Sequence, residues 1–374
     1  FYIQKTERYS YQRPMIEAYK IEKADTFFID EESGEELQET ISGTYIKRHS
    51  PYPEFETVTA QRILTGDVEN FEPENIIYDR SVTDVNDNLS GFPIDTLESF
   101  ASYECQKLKS ISHNSVHIGA IKNMEYAIYE LPKNSTGILS FDISVENDSI
   151  IYILFDEVLN ENNVVDFLRG GCANCVKYKL SSGKKKLHFF EVYTMKYIQI
   201  IAVGGDCDIS ELKMIEYKHP IIEYNTEKFP PDIKKIADAA IETYRQNSVD
   251  IFTDCPSRER AGWLCDSFFS GRTEFLLTGK NIIEKSFLEN FLHEKVFQGL
   301  PKGMVPMCYP SDRLNDTFIP QWALWLILEL EEYQNRSGDI ALIKEFDEVV
   351  NRLLDYFSAF ENSTDTLSSA FSAV

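Results

Sequence analysis

Apolar positions change period along the chain, and the changes divide it. From about residue 113 to 219 the period is two. ISVENDSIIYILFDEVL alternates and then runs apolar, rich in Ile, Val and Tyr. KYKLSSGKKKLHFF reads as two strands with a turn at Ser181–Gly183, and TMKYIQIIAVGGDCDISELKMIEYKH gives two more around Gly204 and Gly205. Six or so short strands with turns between them predict an antiparallel sandwich, one face buried and one wet.

At Pro230 and Pro231 the period shifts to that of a helix. In PPDIKKIADAAIETYRQNS, the residues Ile233, Ile236, Ala237, Ala240 and Tyr244 form one stripe, and a proline suits the first turn. RTEFLLTG, KNIIEKSFLENFLHEK, QWALWLILELEEYQNRSG and DIALIKEFDEVVNRLLDYFSAF continue as helices, with Gly338 as a stop and Asp339 as a cap. The connection at 299–320 is long for a compact domain, which favours a functional loop. The first 110 residues are harder to read. TFFI and FETVTAQRIL sit among acidic turns, EESGEELQET reads as a solvated loop and NDNLSGFP as turns. The division expected is therefore 1–110, a β-rich or arm region; 111–222, a β-sandwich; and 223–374, a helical domain. The fold class is α+β and multidomain.

Composition narrows the partners. The chain has 374 residues, 43% hydrophobic and 13% aromatic, which suits packed cores. A net charge of −24 repels phosphate backbones and anionic membranes, and leaves a neutral glycan unaffected. No apolar run approaches the roughly 20 residues of a membrane span. The seven cysteines are odd in number and scattered, which fits reduced thiols in a cytoplasm better than a disulfide framework, with secretion after loss of a signal peptide as the open alternative. The Cys172–Cys175 pair lacks the second pair or histidines a zinc site needs, so it reads as two ordinary thiols. Neither a metal nor an organic cofactor is expected.

One stretch stands apart. DCPSRERAGWLCD, residues 254–266, holds three carboxylates, two arginines and a tryptophan, with Val249, Ile251 and Phe252 before it and Phe268 and Phe269 after. Carboxylates that share a pocket raise one another's pKa, arginines lower it, and apolar flanks favour a protonated acid. A neutral carboxyl beside an ionised one is what glycoside hydrolysis uses. An aromatic face beside carboxylates also suits a sugar, whose C–H face stacks while its hydroxyls donate to the acids. Taken by itself, the stretch is read more plainly as surface ion pairs at a helix start.

DCPSRERAGW resembles the signature decapeptide of the α-L-rhamnosidases, glycoside hydrolase family 78. Upstream, ILSFDISVENDSIIYILFDEVLNENNVVDFLRGG and FFEVYTMKYIQII resemble the sandwich that precedes that family's catalytic domain. Downstream, KGMVPMCYPSD and FIPQWALWLILELEEYQNRSGD resemble early helices of its (α/α)6 barrel. The resemblance covers roughly residues 110–360. It implies Glu259 as general acid, and Asp254, Asp266 and Arg258 as ligands of rhamnose hydroxyls, with the two aspartates tuning Glu259. It implies Trp263 against the apolar face of the sugar and Trp322 as a further aromatic of the pocket. Trp325 and His188 read as structural, and nothing marks Cys255 as a nucleophile.

The family inverts configuration, which needs a general base across the sugar from the acid. An (α/α)6 barrel needs about twelve helices and on the order of 300–400 residues, more than one ordinary domain length. The helical part here begins only at Pro230. The expectation is thus a partial barrel, with the base beyond Val374 and exposed apolar surface that favours self-association. Asp355, Glu361 and Asp365 sit in no recognised motif. Two alternatives stay open: a related barrel glycosidase acting on another sugar, and a glycan-binding relative without catalysis.

Overall fold

The computed structural model describes residues 2–3, 5–10, 13, 15–22, 48–76, 96–293, 296–297, 299–311 and 318–360. EESGEELQET, NDNLSGFP and TFFI lie outside them, as do Glu361 and Asp365. Eleven strands come first: β1 (Tyr2–Ile3), β2 (Ala18–Ile21), β3 (Thr57–Thr59), β4 (Gln61–Asn70), β5 (Leu108–Ser115), β6 (Glu125–Val145), β7 (Ser149–Asp156), β8 (Cys175–Leu180), β9 (Gly183–His188), β10 (Tyr193–Val203) and β11 (Cys207–Glu216). A short helix α1 (Ala101–Gln106) lies between β4 and β5.

The sandwich is folded from one hydrogen-bonded sheet, and β6 makes the corner. Its first part pairs with β10 and β4, while its second pairs with β11 and β9. The corner is the run Leu131–Asn134, where the register against β10 jumps from Glu130↔Tyr197 to Ser135↔Met195. Pro132 lies within it and has no N–H to give the ladder, so pairing breaks there. The two halves close on one core. Phe141 meets Tyr178 edge-on at 5.8 Å, and Phe155 meets Phe189 at 5.9 Å. The turn at Ser181–Gly183 joins β8 and β9 as the pattern predicts.

The described residues of the first 110 supply strands of this sheet. β4 pairs with β6, β3 with β11, and β2 with β8. The β2–β8 pair is parallel, a departure from the all-antiparallel expectation. β2 and β8 are far apart in the chain, so no hairpin fixes their relative direction.

Six helices follow: α2 (Pro231–Gln246), α3 (Asp266–Thr278), α4 (Ile282–His293), α5 (Pro320–Ser337), α6 (Ile340–Glu345) and α7 (Asp347–Ser358). α3 packs on α4 and α5, and α5 packs on α6 and α7. Phe287, Phe291, Leu326 and Leu353 are fully buried between them. Gly338 closes α5 in the left-handed conformation, and the Asp339 carboxylate caps α6 by accepting from the Leu342 N–H, both as expected.

Three expectations change. α3 starts six residues earlier than RTEFLLTG suggests, because the strained turn at Cys265 (φ 76°) launches it. The last predicted helix breaks at Phe346, whose side chain is drawn wholly into the core. The stripe on α2 is real in sequence but not inward: Ile233 and Ile236 are 49% and 65% exposed, and only Tyr244 of the five is buried. Phe269, Leu276, Leu328 and Leu354 are exposed too, so this helical layer does present apolar surface. No helix among the described residues is long and apolar enough to cross a membrane.

Candidate active site

The charged stretch is a loop clamped between the two layers of structure. On the sandwich side the β6 corner receives α2. Lys133 reaches Glu242 at 2.8 Å, and the Gln246 side chain bonds to the Thr136 hydroxyl and the Asn134 carbonyl. Thr194 of β10 donates to the Pro256 carbonyl at 3.0 Å. The N-terminal segment adds two braces: the Ser10 hydroxyl donates to the Arg258 carbonyl at 2.6 Å, and Arg13 donates to the Ser257 carbonyl at 2.9 Å. The loop also closes on itself. The Asp254 N–H donates to the Ala261 carbonyl, and the Ala261 N–H donates to Asp254 Oδ1, each at 3.1 Å.

On the helical side, the stretch pairs with the long connection predicted to be functional. Tyr309 N–H donates to the Gly262 carbonyl, Gly262 N–H to the Pro310 carbonyl, and Leu264 N–H to the Met307 carbonyl. This ribbon holds Trp263 opposite Cys308. Trp263 and Trp322 pack on one small cluster with Ala261, Met307 and Cys308. Trp325 instead meets Phe268 edge-on at 4.8 Å, a packing role. His188 bonds the Phe189 carbonyl on β9, away from the loop. Arg260 (φ 43°) and Cys265 (φ 76°) both hold positive φ, a strain that L side chains tolerate only where surrounding contacts enforce it.

Glu259 is 9% exposed and is the centre of the site. Arg258 donates to its Oε1 from Nε at 2.8 Å, and the Cys255 thiol donates to its Oε2 at 3.0 Å. Burial pushes the Glu259 carboxyl up, but the Arg258 hydrogen bond, the Cys255 thiol and the Arg258 charge outweigh it and hold it below the usual range. Asp254 goes the other way. Burial, and after it the Glu259 charge, push its carboxyl up to about 7 against the opposing Ala261 hydrogen bond. Asp266 opens α3, is exposed on one side, and is likewise raised, by desolvation first and then by Glu259.

The predicted pair of unlike carboxyls is therefore present, with its roles reversed in the free protein. The resemblance places the proton on Glu259. The structure favours Asp254, because Arg258 pairs with Glu259 and not with Asp254. Cys255 has its thiol pushed up to about 12 by burial and the neighbouring acids, which leaves it a hydrogen-bond donor.

Ligand atoms of Asp254, Cys255 and Glu259 lie within 4.8 Å of one another, close enough to suggest a metal site. The donor chemistry fits one poorly. Arg258 already supplies the cation beside Glu259, and the thiol is far from ionising.

Beside Glu259 and Arg258 opens a crevice of about 210 Å³ between the loop and the sandwich. Its far wall is the end of β7 and the β7–β8 connection, where Asp156, 2% exposed, takes two hydrogen bonds from Arg169. Sequence reasoning missed this wall, and it missed Ser10, Arg13 and Thr194. Each lies far from the motif in sequence, and no spacing marked any of them.

Residues 228–372 match the family model of the bacterial alpha-L-rhamnosidase 6 hairpin glycosidase domain. Among solved structures, a rhamnosidase from Klebsiella oxytoca with rhamnose bound superposes with a TM-score of 0.59 at 13% identity, over 84% of this chain and 60% of that one. A GH78 family rhamnosidase of Bacillus sp. GL1 superposes with a TM-score of 0.55 at 17% identity, over 67% of this chain and 25% of that one. The chain thus spans a quarter of one and three fifths of the other. At these identities the likeness shows a shared fold: a β-sandwich followed by helices of a six-hairpin barrel. No curated protein matches in sequence.

Proposed function

We propose, from the premise that residues 228–372 belong to the bacterial alpha-L-rhamnosidase six-hairpin glycosidase domain family, that this chain carries the acid side of a site hydrolysing terminal α-L-rhamnosides. The observation that carries the reading is the unlike carboxyl pair, Asp254 raised to about 7 beside an ionised Glu259.

Glu259 is the general acid. In the free protein its charge is balanced by Arg258, whose side chain is 53% exposed and can turn to a sugar hydroxyl. A bound sugar that draws Arg258 away removes the interaction that keeps Glu259 ionised. The proton held at Asp254 then has a basic neighbour to move to, and from Glu259 it passes to the glycosidic oxygen as the C–O bond breaks. Asp254 and Asp266 accept hydrogen bonds from sugar hydroxyls. Trp263 and Trp322 offer the apolar wall. In the inverting course the family follows, water attacks from the opposite face with a second carboxylate as base. That base is not assigned among the described residues. A neutral rhamnoside suits a chain of net charge −24, and the odd, scattered cysteines favour a reducing cytoplasm.

The test is release of nitrophenol from an aryl α-L-rhamnoside by this chain and by Glu259→Gln. Loss of about 10²–10⁴-fold with rhamnose binding retained supports the acid role. Turnover by Glu259→Gln equal to the parent removes it. Rhamnose binding without turnover in either protein is the outcome of the glycan-binding alternative, and equally of a site whose base these residues do not supply.

A further inference from the structure

The crevice beside Glu259 is not needed to hold the rhamnose ring. Asp266, Trp263 and Trp322 all lie on the helical side, and none of them lines it. Glu259 and Arg258 are shared, since they form the near wall of the crevice. A general acid sits at the bond it breaks, with the departing group on one side and the reacting sugar on the other. If the helical side takes the rhamnose, the sandwich side faces what the rhamnose is attached to.

We infer that this crevice is the leaving-group subsite, and that it takes a single neutral, hydroxyl-rich sugar ring rather than an aromatic aglycone. The inference rests on the rhamnoside reading above and adds the substrate class. Four observations carry it. The first is size: about 210 Å³ is less than the roughly 300–1,000 Å³ of pockets for drug-sized ligands, so one ring fits and an extended flavonoid does not. The second is lining: no aromatic side chain faces the crevice, so a flat aglycone has nothing to stack on.

The third is the polar inventory. Asn174 is 6% exposed and lines the crevice; its side-chain oxygen accepts from the Tyr9 hydroxyl, and among the described residues no acceptor engages its amide N–H donors. Glu157 also lines the crevice as an acceptor, held by Asn134 at 3.2 Å and by Arg169 at 3.5 Å. Donors and acceptors fixed around one small space are what hydroxyl groups recognise. The fourth is charge. Arg169 pairs with Asp156 and also reaches Glu157 at 3.5 Å, and Arg258 pairs with Glu259, so three carboxylates face two guanidiniums and the crevice keeps a net negative charge. That excess, on an acidic chain, disfavours a uronic acid and leaves a neutral hexose or deoxyhexose.

The sandwich therefore contributes to substrate choice. Its β7–β8 connection, residues 157–174, would read the second sugar while the helical layer reads the rhamnose.

The experiment is calorimetric titration of the intact chain with three non-hydrolysable thioglycosides: methyl α-L-thiorhamnoside, its phenyl counterpart, and a thio-linked rhamnosyl-glucose disaccharide. The disaccharide is expected to bind roughly tenfold tighter than the methyl glycoside, the worth of one or two hydrogen bonds. The phenyl glycoside should gain little. Glu157→Ala, at a half-exposed position, should remove several-fold of the disaccharide gain and leave methyl thiorhamnoside affinity unchanged. Asn174→Ala should remove more, and circular dichroism checks that it folds.

A disaccharide that binds no tighter than the methyl glycoside overturns the subsite. So does a gain that the phenyl glycoside matches and neither substitution reduces. Failure of methyl thiorhamnoside itself to bind overturns the rhamnoside reading, and the subsite with it. The two failures are told apart by whether the methyl glycoside binds.

Discussion

Arg258 grips Glu259 from the neighbouring position in sequence, with Nε at 2.8 Å and a terminal nitrogen at 2.6 Å from the same carboxylate oxygen. Adjacent side chains rarely face each other in a helix or strand. Here the closed loop between Asp254 and Ala261 turns both toward one recess. The pair sets the resting protonation of the site, because it is the largest opposing influence on a carboxyl that burial would otherwise raise.

Removing the guanidinium should therefore raise the Glu259 pKa. In Arg258→Met, with a carbon-13 label in glutamate carboxyls, the Glu259 resonance is expected to titrate at higher pH than in the parent. Any rhamnosidase activity that needs protonated Glu259 should persist to higher pH, with its overall level reduced about tenfold by the lost sugar contact. An unmoved Glu259 titration would show that the ion pair does not control it.

Glu329 is fully buried on α5, and Oε2 accepts from the Ser267 hydroxyl at 2.5 Å, one residue after Asp266. Burial raises its carboxyl from 4.5 to about 8, so the folded protein holds this proton where the unfolded chain has lost it. The unfolded state then binds fewer protons between those two values, and stability falls as pH rises through that window. Below about 4.5 the effect is absent, and above about 8 the full penalty stands, on the order of a few kcal/mol. Glu329→Gln keeps an acceptor for Ser267 and removes the titration. Its urea stability should exceed the parent's at pH 9 relative to pH 4. Parallel stability–pH curves for the two proteins would contradict the assignment.

Gly262 marks the tightest backbone approach in the site. A Cβ there would lie 2.4 Å from the Tyr309 carbonyl oxygen and 2.8 Å from the Phe287 ring. Neither is the loose end of a flexible side chain. Gly262→Ala should cost about 1–3 kcal/mol and part the ribbon that carries Trp263. The urea midpoint should drop with the slope unchanged, and tryptophan emission should shift to the red.

How much of this was legible in the sequence differs by level. The strands of β6 to β11 and the helices α4 and α5 follow from periodicity, because each has one face against a core. The caps at Gly338 and Asp339 follow from local backbone chemistry. α2 shows where periodicity misleads. Ile233 and Ile236 satisfy the helical spacing, yet the described residues put nothing over them. A stripe tells that a helix has an apolar side, not that a neighbour covers it. The break at Phe346 was invisible because a helix-compatible sequence yields there to burial of one ring.

The site divides the same way. Asp254, Arg258, Glu259, Trp263 and Asp266 share one short motif, so resemblance could find them together. The structure packs Trp322 and Trp263 on one small cluster. The direction of the Asp254 and Glu259 shifts could not be read, since it depends on which carboxylate Arg258 faces. Asp156, Arg169 and Asn174 reach the site only through the fold of the sandwich.

The N-terminal brace gives the last prediction. Arg13 is buried, donates to the Ser257 and Val192 carbonyls, and lies 4.5 Å over the Tyr9 ring and 5.2 Å over the Tyr193 ring. Ser10 holds the Arg258 carbonyl. The two act at different depths. Arg13→Ala removes a buried cation with two carbonyl partners and should destabilise the protein by about 2–4 kcal/mol. Ser10→Ala leaves one carbonyl without that donor, costs about 1 kcal/mol, and frees the backbone that aims Arg258. It should weaken rhamnose binding several-fold by titration while the unfolding midpoint moves little. If Ser10→Ala lowers stability as much as Arg13→Ala and leaves rhamnose affinity intact, the N-terminal segment supports the fold and does not position the site.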